Sequence, residues 1–307
     1  MKQRIFTFLL LTITALTACR KDRNEPSIKE YDDAQIQAYM STNSLSDFKR
    51  DTTDGDTTGL YYKIINKGSG APLEYSDFIS LVYTLRSMDG KYTASDTILN
   101  HQYLLLGYVS KSLPKGLQLG IKNALKFRGA SMRLLIPSRL AYGKSGFGTG
   151  SITNTNGRIA GNQSLDMYVH VINDQQVYDD LVIRNYMSAN GLTGYTKAAD
   201  GTYYKIITAG TSSVTLNEFS TVTCTFTANL MNGTAVNEVY KTSSGALAVS
   251  STFPLGVINI LKTSGKVGSS LSIIIPSRLG AGTQGVGVVP PNAPVRYDIQ
   301  ITDITNP

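Results

Sequence analysis

Residues 136–143 read IPSRLAYG, and residues 275–282 read IPSRLGAG. Upstream of each, GLYYKII at 59–65 is answered by GTYYKII at 201–207, and YDDAQIQAYMSTNSL at 31–45 by YDDLVIRNYMSANGL at 178–192. The spacing between matched stretches drifts along the chain, as small loop insertions and deletions would produce. A repeating unit of roughly 140 residues is the size of a domain and far longer than a solenoid repeat of about 20–50 residues. The chain therefore reads as a tandem duplication of one independently folding domain. A residue given a role in one copy can be checked in the other.

Within each unit the periodicities alternate between helix and strand. Ile36, Tyr39 and Met40 in the first copy, and Ile183, Tyr186 and Met187 in the second, mark the apolar stripe of an opening helix. Asp32-Asp33 and Asp179-Asp180 are placed at the helix N-termini, where carboxylates suit the dipole. Ile79, Leu81, Tyr83 and Leu85 then alternate with Ser80, Val82, Thr84 and Arg86, and Val222, Cys224, Phe226, Ala228 and Leu230 with Thr223, Thr225, Thr227 and Asn229. Period two with one apolar face predicts half-buried antiparallel strands. Asp89-Gly90 and Asn232-Gly233 are turn dipeptides. A short apolar helix is predicted at 113–125 and 253–263, a strand ending in Ile-Pro at 132–137 and 271–276, and a closing strand through Leu165–Val171 and Val295–Ile301. Strands around one short helix make an α+β domain.

Taken in order, these pieces resemble the FKBP-type peptidyl-prolyl isomerases. The matching elements are a tyrosine-bearing strand, an Asp-Gly turn, a flap, a Gly-containing short helix, Ile136–Gly143, and Val288-Val289-Pro290-Pro291-Asn292-Ala293 before the last strand. The resemblance covers roughly 59–172 and 201–304, and implies two tandem FKBP-like domains. Each is a curved antiparallel sheet wrapped around a short helix, preceded by an N-terminal helix, with a proline pocket between sheet and helix. The boundaries are 31–173 and 174–307.

The resemblance carries roles onto individual residues. In the first copy Tyr83 takes the place of the pocket tyrosine, and Tyr142 that of the turn tyrosine whose hydroxyl bonds the bound peptide. Leu113 and Pro114 stand at the ligand-facing apolar pair, Leu117 at the pocket floor, and Ile159 and Met167 at the walls. The family's Phe-Asp pair falls on Thr93-Ala94, so an aromatic wall and a carboxylate are expected to be lost. The loop from Gly143 to Asn162 is longer than its counterpart from Gly282 to Asn292 and is a candidate cover for the pocket. In the second copy Phe226, Phe253, Pro254, Val257, Val289 and Tyr297 keep an apolar lining, but Val236-Asn237 replaces Phe-Asp and Ala281 replaces the turn tyrosine. Each of these residues is also what a plain sheet-on-helix core would contain. No cofactor or metal is implied. The two histidines, His101 and His170, form no metal-spaced cluster with cysteine, and His170 is read as solvated.

The N-terminus reads as a lipoprotein signal. Lys2 and Arg4 precede a short apolar run, Ile5 to Leu16, and Leu-Thr-Ala-Cys ends at Cys19. The run is too short to span a bilayer, which needs about 20 residues. Residues 1–18 are the signal, Cys19 the acylated residue, and 19–30 a polar tether. The implied location is the bacterial cell envelope, lipid-anchored to the outer membrane on its periplasmic or surface face. Cys224, the other cysteine, sits in an apolar alternation and reads as core. The net charge of +7 is scattered without an aromatic-interleaved basic stripe, which excludes a nucleic-acid surface. The expected partners are proline-containing or unfolded polypeptide segments, and the expected activity is isomerisation mainly by the first domain. A degenerate binding or chaperone module and a structural surface lipoprotein are the alternatives, since fold alone does not fix function.

Overall fold

A computed structural model of the chain describes residues 26–53, 55, 57–108, 112–149, 157–236 and 247–307. The signal, Cys19, most of the tether, and Asn237 lie outside the described residues. The first unit runs α1 (Ile28–Thr42), β1 (Lys49–Arg50), β2 (Tyr61–Asn66), β3 (Phe78–Ser87), β4 (Thr93–Ala94), β5 (His101–Leu105), α2 (Lys115–Gly120), β6 (Ser131–Ile136), β7 (Phe147–Gly148), β8 (Arg158–Ile159) and β9 (Leu165–Val171). Its antiparallel sheet has the order β1-β2-β6-β9-β3-β4, with β5 also on β3. The second unit runs α3 (Gln175–Ala189), β10 (Thr196–Lys197), β11 (Tyr203–Thr208), β12 (Thr221–Leu230), β13 (Leu247–Ala248), α4 (Val249–Thr252), α5 (Leu255–Ser264), β14 (Ser270–Ile275) and β15 (Val295–Thr305). Its order, β10-β11-β14-β15-β12-β13, repeats the first. No helix among the described residues is long and apolar enough to cross a membrane.

The strands at the centre of each sheet, β6 and β14, are buried on both faces. Leu134 and Ile136 join the core around α2, whereas Leu135 between them packs with Ile36 of α1, Phe48 and Tyr61. In the second unit Ile273 and Ile275 face α5, and Ile274 faces Ile183 of α3. This is why β6 and β14 read as continuous apolar runs rather than alternations. The short helix lies close to β6 because Gly116 has no side chain: a Cβ there would clash with Ile136 Cγ2, and one at Gly256 would come 2.6 Å from Ile275 Cγ2. After Gly120 the first helix widens into a π-turn, Ile121–Leu125, and ends at Lys126 with φ +68°.

Two expectations change. The solvated face predicted for β3 is covered, since Ser80 and Val82 are 8% and 2% exposed. The first turn of α3 lies over it, with Ser80 Oγ donating to Gln175 Oε1 at 2.6 Å. For the same reason His170 is half-buried, its ring 5.8 Å from that of Tyr178 on α3, and burial lowers its pKa.

The paired aspartates also differ from their reading. The helices start earlier than the dipole argument requires, at Ile28 and Gln175, with Ser27 and Asp174 as the caps. Asp32 and Asp179 are instead buried, at 0% and 1% exposure. Asp32 Oδ2 accepts from the backbone N–H of Arg139 at 3.2 Å, and Asp179 Oδ2 from the N–H and hydroxyl of Ser277 at 2.8 and 2.7 Å. Each opening helix is thereby tied to the Ile-Pro-Ser-Arg turn of its own unit.

Candidate functional site

The first unit gathers its sequence-predicted residues around one core. Leu113, Leu117, Ile159 and Met167 are buried together, and Tyr83 and Tyr142 are half-buried against them. Pro114 is the N-cap of α2, its ring holding φ at −70° where the lost N–H costs nothing. With Leu113, Leu117, Leu104 and Leu106 it lines a small apolar cavity of about 20 Å³ on the β5 side of the helix. Met167 and Ile159 are sealed, at 0% and 1% exposure, so they serve as core as much as wall.

Above this floor stands a group of phenols. The Tyr142 hydroxyl donates to the Ser112 carbonyl at 2.9 Å, and its ring stacks on Phe147 with centroids 4.6 Å apart and planes 20° off parallel. Phe147 pairs with Ile159 in the β7–β8 ribbon, so the near end of the long loop does lie on the site. Residues 150–156 of that loop are outside the description. Burial first, then the neighbouring phenols of Tyr83 and Tyr92, pushes the Tyr142 pKa up. Burial, with Tyr92 beside it, does the same for Tyr83. Tyr83 and Tyr142 therefore stay neutral hydrogen-bond donors at physiological pH.

Tyr92 corrects the expectation that the aromatic wall is lost. Thr93 and Ala94 pair with Arg86 and Leu85 in β4, while Tyr92, one residue earlier, packs on the core beside Tyr83 and Tyr142. Its backbone is fixed by Ser87, whose N–H donates to the Tyr92 carbonyl at 3.0 Å and whose hydroxyl accepts from the Tyr92 N–H at 3.0 Å. An aromatic ring thus stands one position before the aligned residue, and its sequence neighbours Lys91 and Thr93 bring no carboxylate. The signal for this was a tyrosine two residues after Gly90 of the Asp-Gly turn.

The second unit brings its residues together without the phenol cluster. Phe226 lies 5.0 Å from Phe253 and 6.4 Å from Tyr297, centroid to centroid. Val257 and Val289 are buried beneath, Pro254 caps α5, and Ala281 fills less of the turn than Tyr142 does. Burial pushes the Tyr297 phenol up to about 12. Cys224 is buried and free, with its thiol pushed to about 11 by burial, so it is core and not a nucleophile. Among the described residues no group of His, Cys, Asp and Glu could hold a metal ion.

An apolar, aromatic-walled cleft with neutral donors suits one kind of chemistry. Rotation about an X–Pro bond faces a barrier of about 18–20 kcal/mol from amide resonance. An apolar environment disfavours the charge-separated resonance form, and a placed donor can bond the twisted amide. Each 1.36 kcal/mol removed from the barrier is about tenfold in rate.

Comparison with known proteins finds similarity to isomerases of this kind. The family model described as FKBP-type peptidyl-prolyl cis-trans isomerase matches residues 213–302, in the second unit. The mouse protein "Peptidyl-prolyl cis-trans isomerase FKBP9" is 25% identical over 261 residues, spanning 82% of this chain and 39% of the mouse protein. FkpA of Buchnera aphidicola is 28% identical over 115 residues, 38% of this chain and 45% of that one. The chain thus spans well under half the length of these curated relatives. Among solved structures, Escherichia coli FkpA is 20% identical, covers 43% of this chain and 63% of its own, and has a TM-score of 0.36. The three FKBP domains of wheat FKBP73 are 17% identical, cover 84% and 98%, and have a TM-score of 0.33. Residues 213–302 thus match the FKBP-type peptidyl-prolyl cis-trans isomerase family, and the curated proteins this chain is similar to are isomerases of that type.

Proposed function

We propose that this chain is a lipid-anchored peptidyl-prolyl isomerase of the cell envelope that assists the folding of exported proteins, acting mainly through its first unit. The observation that carries the assignment to the first unit is the convergence of Tyr83, Tyr92 and Tyr142 over the Leu113–Leu117 floor. In the second unit the corresponding strand and turn residues are Phe226 and Ala281, which offer no hydroxyl. A bound proline ring would displace Phe147 from Tyr142 and free the hydroxyl from Ser112 for the peptide carbonyl. The test is isomerisation of a proline-containing tetrapeptide anilide by the full chain, with Tyr142→Ala and Phe226→Ala compared. Loss with Tyr142→Ala alone supports the assignment, and loss with Phe226→Ala alone moves the activity to the second unit. The anchoring is tested separately, since Cys19→Ser should release the protein from membranes.

A second reading is a chaperone module that holds proline-containing or unfolded segments without turning them over. The absent carboxylate beside Tyr92 and the engaged Tyr142 hydroxyl favour it. Peptide binding without any isomerisation by the full chain would select it.

A further inference from the structure

The loop between β4 and β5 leaves the first unit and packs on the second. Ile98 sits against both apolar clusters of the second unit. With Thr97 it lines a groove whose other walls include Val182 and Tyr186 of α3 and Met231 after β12. Asn232 Nδ2, in the Asn-Gly turn of the second unit, donates to Asp96 Oδ2 at 2.5 Å. The loop is also tied within itself. Asp96 Oδ1 accepts from the N–H groups of Ile98 and Leu99 at 2.8 and 3.2 Å, and Asn100 Nδ2 donates to the Ala94 carbonyl at 3.1 Å. A turn closed by four such bonds, counting Asn100 N–H to the Asp96 carbonyl at 2.9 Å, moves as one body.

Both ends of this body reach the cleft. Its first strand, β4, follows directly on Tyr92. At its far end the Asn100 carbonyl accepts from the Tyr83 N–H at 3.2 Å, and β5 beyond it carries Leu104 of the cavity wall. The start of β5 is pinned as well. His101 Nε2 lies 3.0 Å from Ser80 Oγ, which also accepts from Asn292 Nδ2 of the second unit at 3.1 Å. Asn292 belongs to the Pro-Pro-Asn segment and is buried. Gln175 Oε1 and Asn292 Nδ2 of the second unit both meet Ser80 across the junction, and separation would leave them unpaired or exposed to water.

We propose that the second unit is a fixed brace for the β4–β5 loop of the first, setting the spacing of Tyr83, Tyr92 and Tyr142 and hence the first unit's grip on proline peptides. This rests on the reading of that cleft as the proline site. It gives the second unit a role that needs no working site of its own. Ile98, Asp96 and Asn232 are then positioning residues, none of which touches substrate.

The test uses the full chain with Asn232→Ala and, separately, Val182→Asp, both on the second unit and away from the cleft. Circular dichroism and exchange protection of β14 and β15 establish that each variant is folded. Asn232→Ala, in an exposed turn, stands if Val182→Asp fails that control. Amide exchange at Tyr83 and across 92–105 reports the loop, and titration with the same tetrapeptide anilide reports the cleft. Losing one hydrogen bond's worth of docking should speed Tyr83 exchange and weaken peptide binding, each roughly three- to tenfold. The rise should appear in KM more than in kcat, with Val182→Ile restoring both. Unchanged exchange at Tyr83 in the folded variants, or faster exchange with unchanged peptide affinity, overturns the brace. If the wild-type chain neither binds nor isomerises the peptide, the isomerase reading fails by itself. The brace is then decided by exchange alone, acceleration supporting it and its absence rejecting it.

Discussion

The Tyr142 hydroxyl donates to the Ser112 carbonyl at 2.9 Å while its ring stacks on Phe147, so the donor that would meet a peptide is engaged within the chain. Binding at this site is an exchange of one neutral hydrogen bond for another. Tyr142→Phe removes both, but the exposed Ser112 carbonyl can turn to water whereas a peptide carbonyl in the apolar cleft cannot, so the net loss on binding is about 0.5–1.5 kcal/mol. The expected effect is a roughly three- to tenfold loss of peptide affinity, with isomerase kcat/KM falling by a similar factor. Phe147→Ala should act in the opposite sense on affinity, because it uncovers the ring. Titration of both variants with the tetrapeptide checks the pair, and indifference of binding to Tyr142→Phe would remove this residue from the site.

Tyr92 and Thr93 separate the structural from the sequence-based account of the aromatic wall. Tyr92 packs on the core beside Tyr83, while Thr93 is exposed. Tyr92→Ala should weaken peptide binding, an aromatic contact being worth about 0.5–1.5 kcal/mol beyond its area. Thr93→Ala should leave binding unchanged. A Thr93 effect exceeding the Tyr92 effect in the same titration would restore the unshifted alignment.

The helix anchors carry stability instead of activity. Asp179→Ala strips two hydrogen bonds from Ser277 and should destabilise the second unit by roughly 1–3 kcal/mol. Asp179→Asn, which keeps an acceptor for the Ser277 N–H, should cost less. Thermal unfolding of the full chain measures both, and equal melting temperatures for wild type and Asp179→Ala would contradict the anchoring role.

His101 gives the junction between units a pH dependence. Burial, partly offset by a hydrogen bond with Gln175, brings its pKa from 6.5 down to about 4. Between those values the unfolded chain binds the proton and the folded chain resists it. The neutral ring's contribution is therefore complete above pH 6.5 and is lost as pH falls towards 4, by up to roughly 3 kcal/mol. His170, lowered in the same direction by burial, adds to the slope. Asp179, whose carboxyl is raised by burial, opposes it at the acid end. Melting curves from pH 7.5 to 4.5 should show a decline that His101→Gln flattens. A His101→Gln profile parallel to wild type would show that this ring does not titrate on unfolding.

The duplication made much of the fold legible. YYKII, IPSRL and the turn dipeptides recur in register, and a strand or helix period seen twice at matched positions is hard to produce by chance. Local interactions fix these periods, so the short helix, the long strands and the opening helices were all readable. That Tyr83, Leu117 and Met167 face one apolar core was readable because they sit on elements with a definite inward face. The role of Asp32 and Asp179 was not, because their partners Arg139 and Ser277 lie about a hundred residues away. Yet the repeated Tyr-Asp-Asp was a visible clue.

What the sequence by itself determined is the α+β class and the repeated order of its elements, because these follow from side-chain period, turn chemistry and composition along a continuous stretch. Tertiary structure alone decided three things. Tyr92, one position away from the aligned residue, supplies the wall, since the hydrogen bonds of Ser87 set where that ring emerges. The Tyr142 hydroxyl is satisfied by Ser112, a backbone partner that no pattern of residue types announces. Ile98 and Asp96, unremarkable in sequence, meet Asn232 and α3 only because the chain folds the second unit back against the first. Burial and hydrogen bonding between distant segments depend on where whole sheets come to rest, and periodicity carries no record of that.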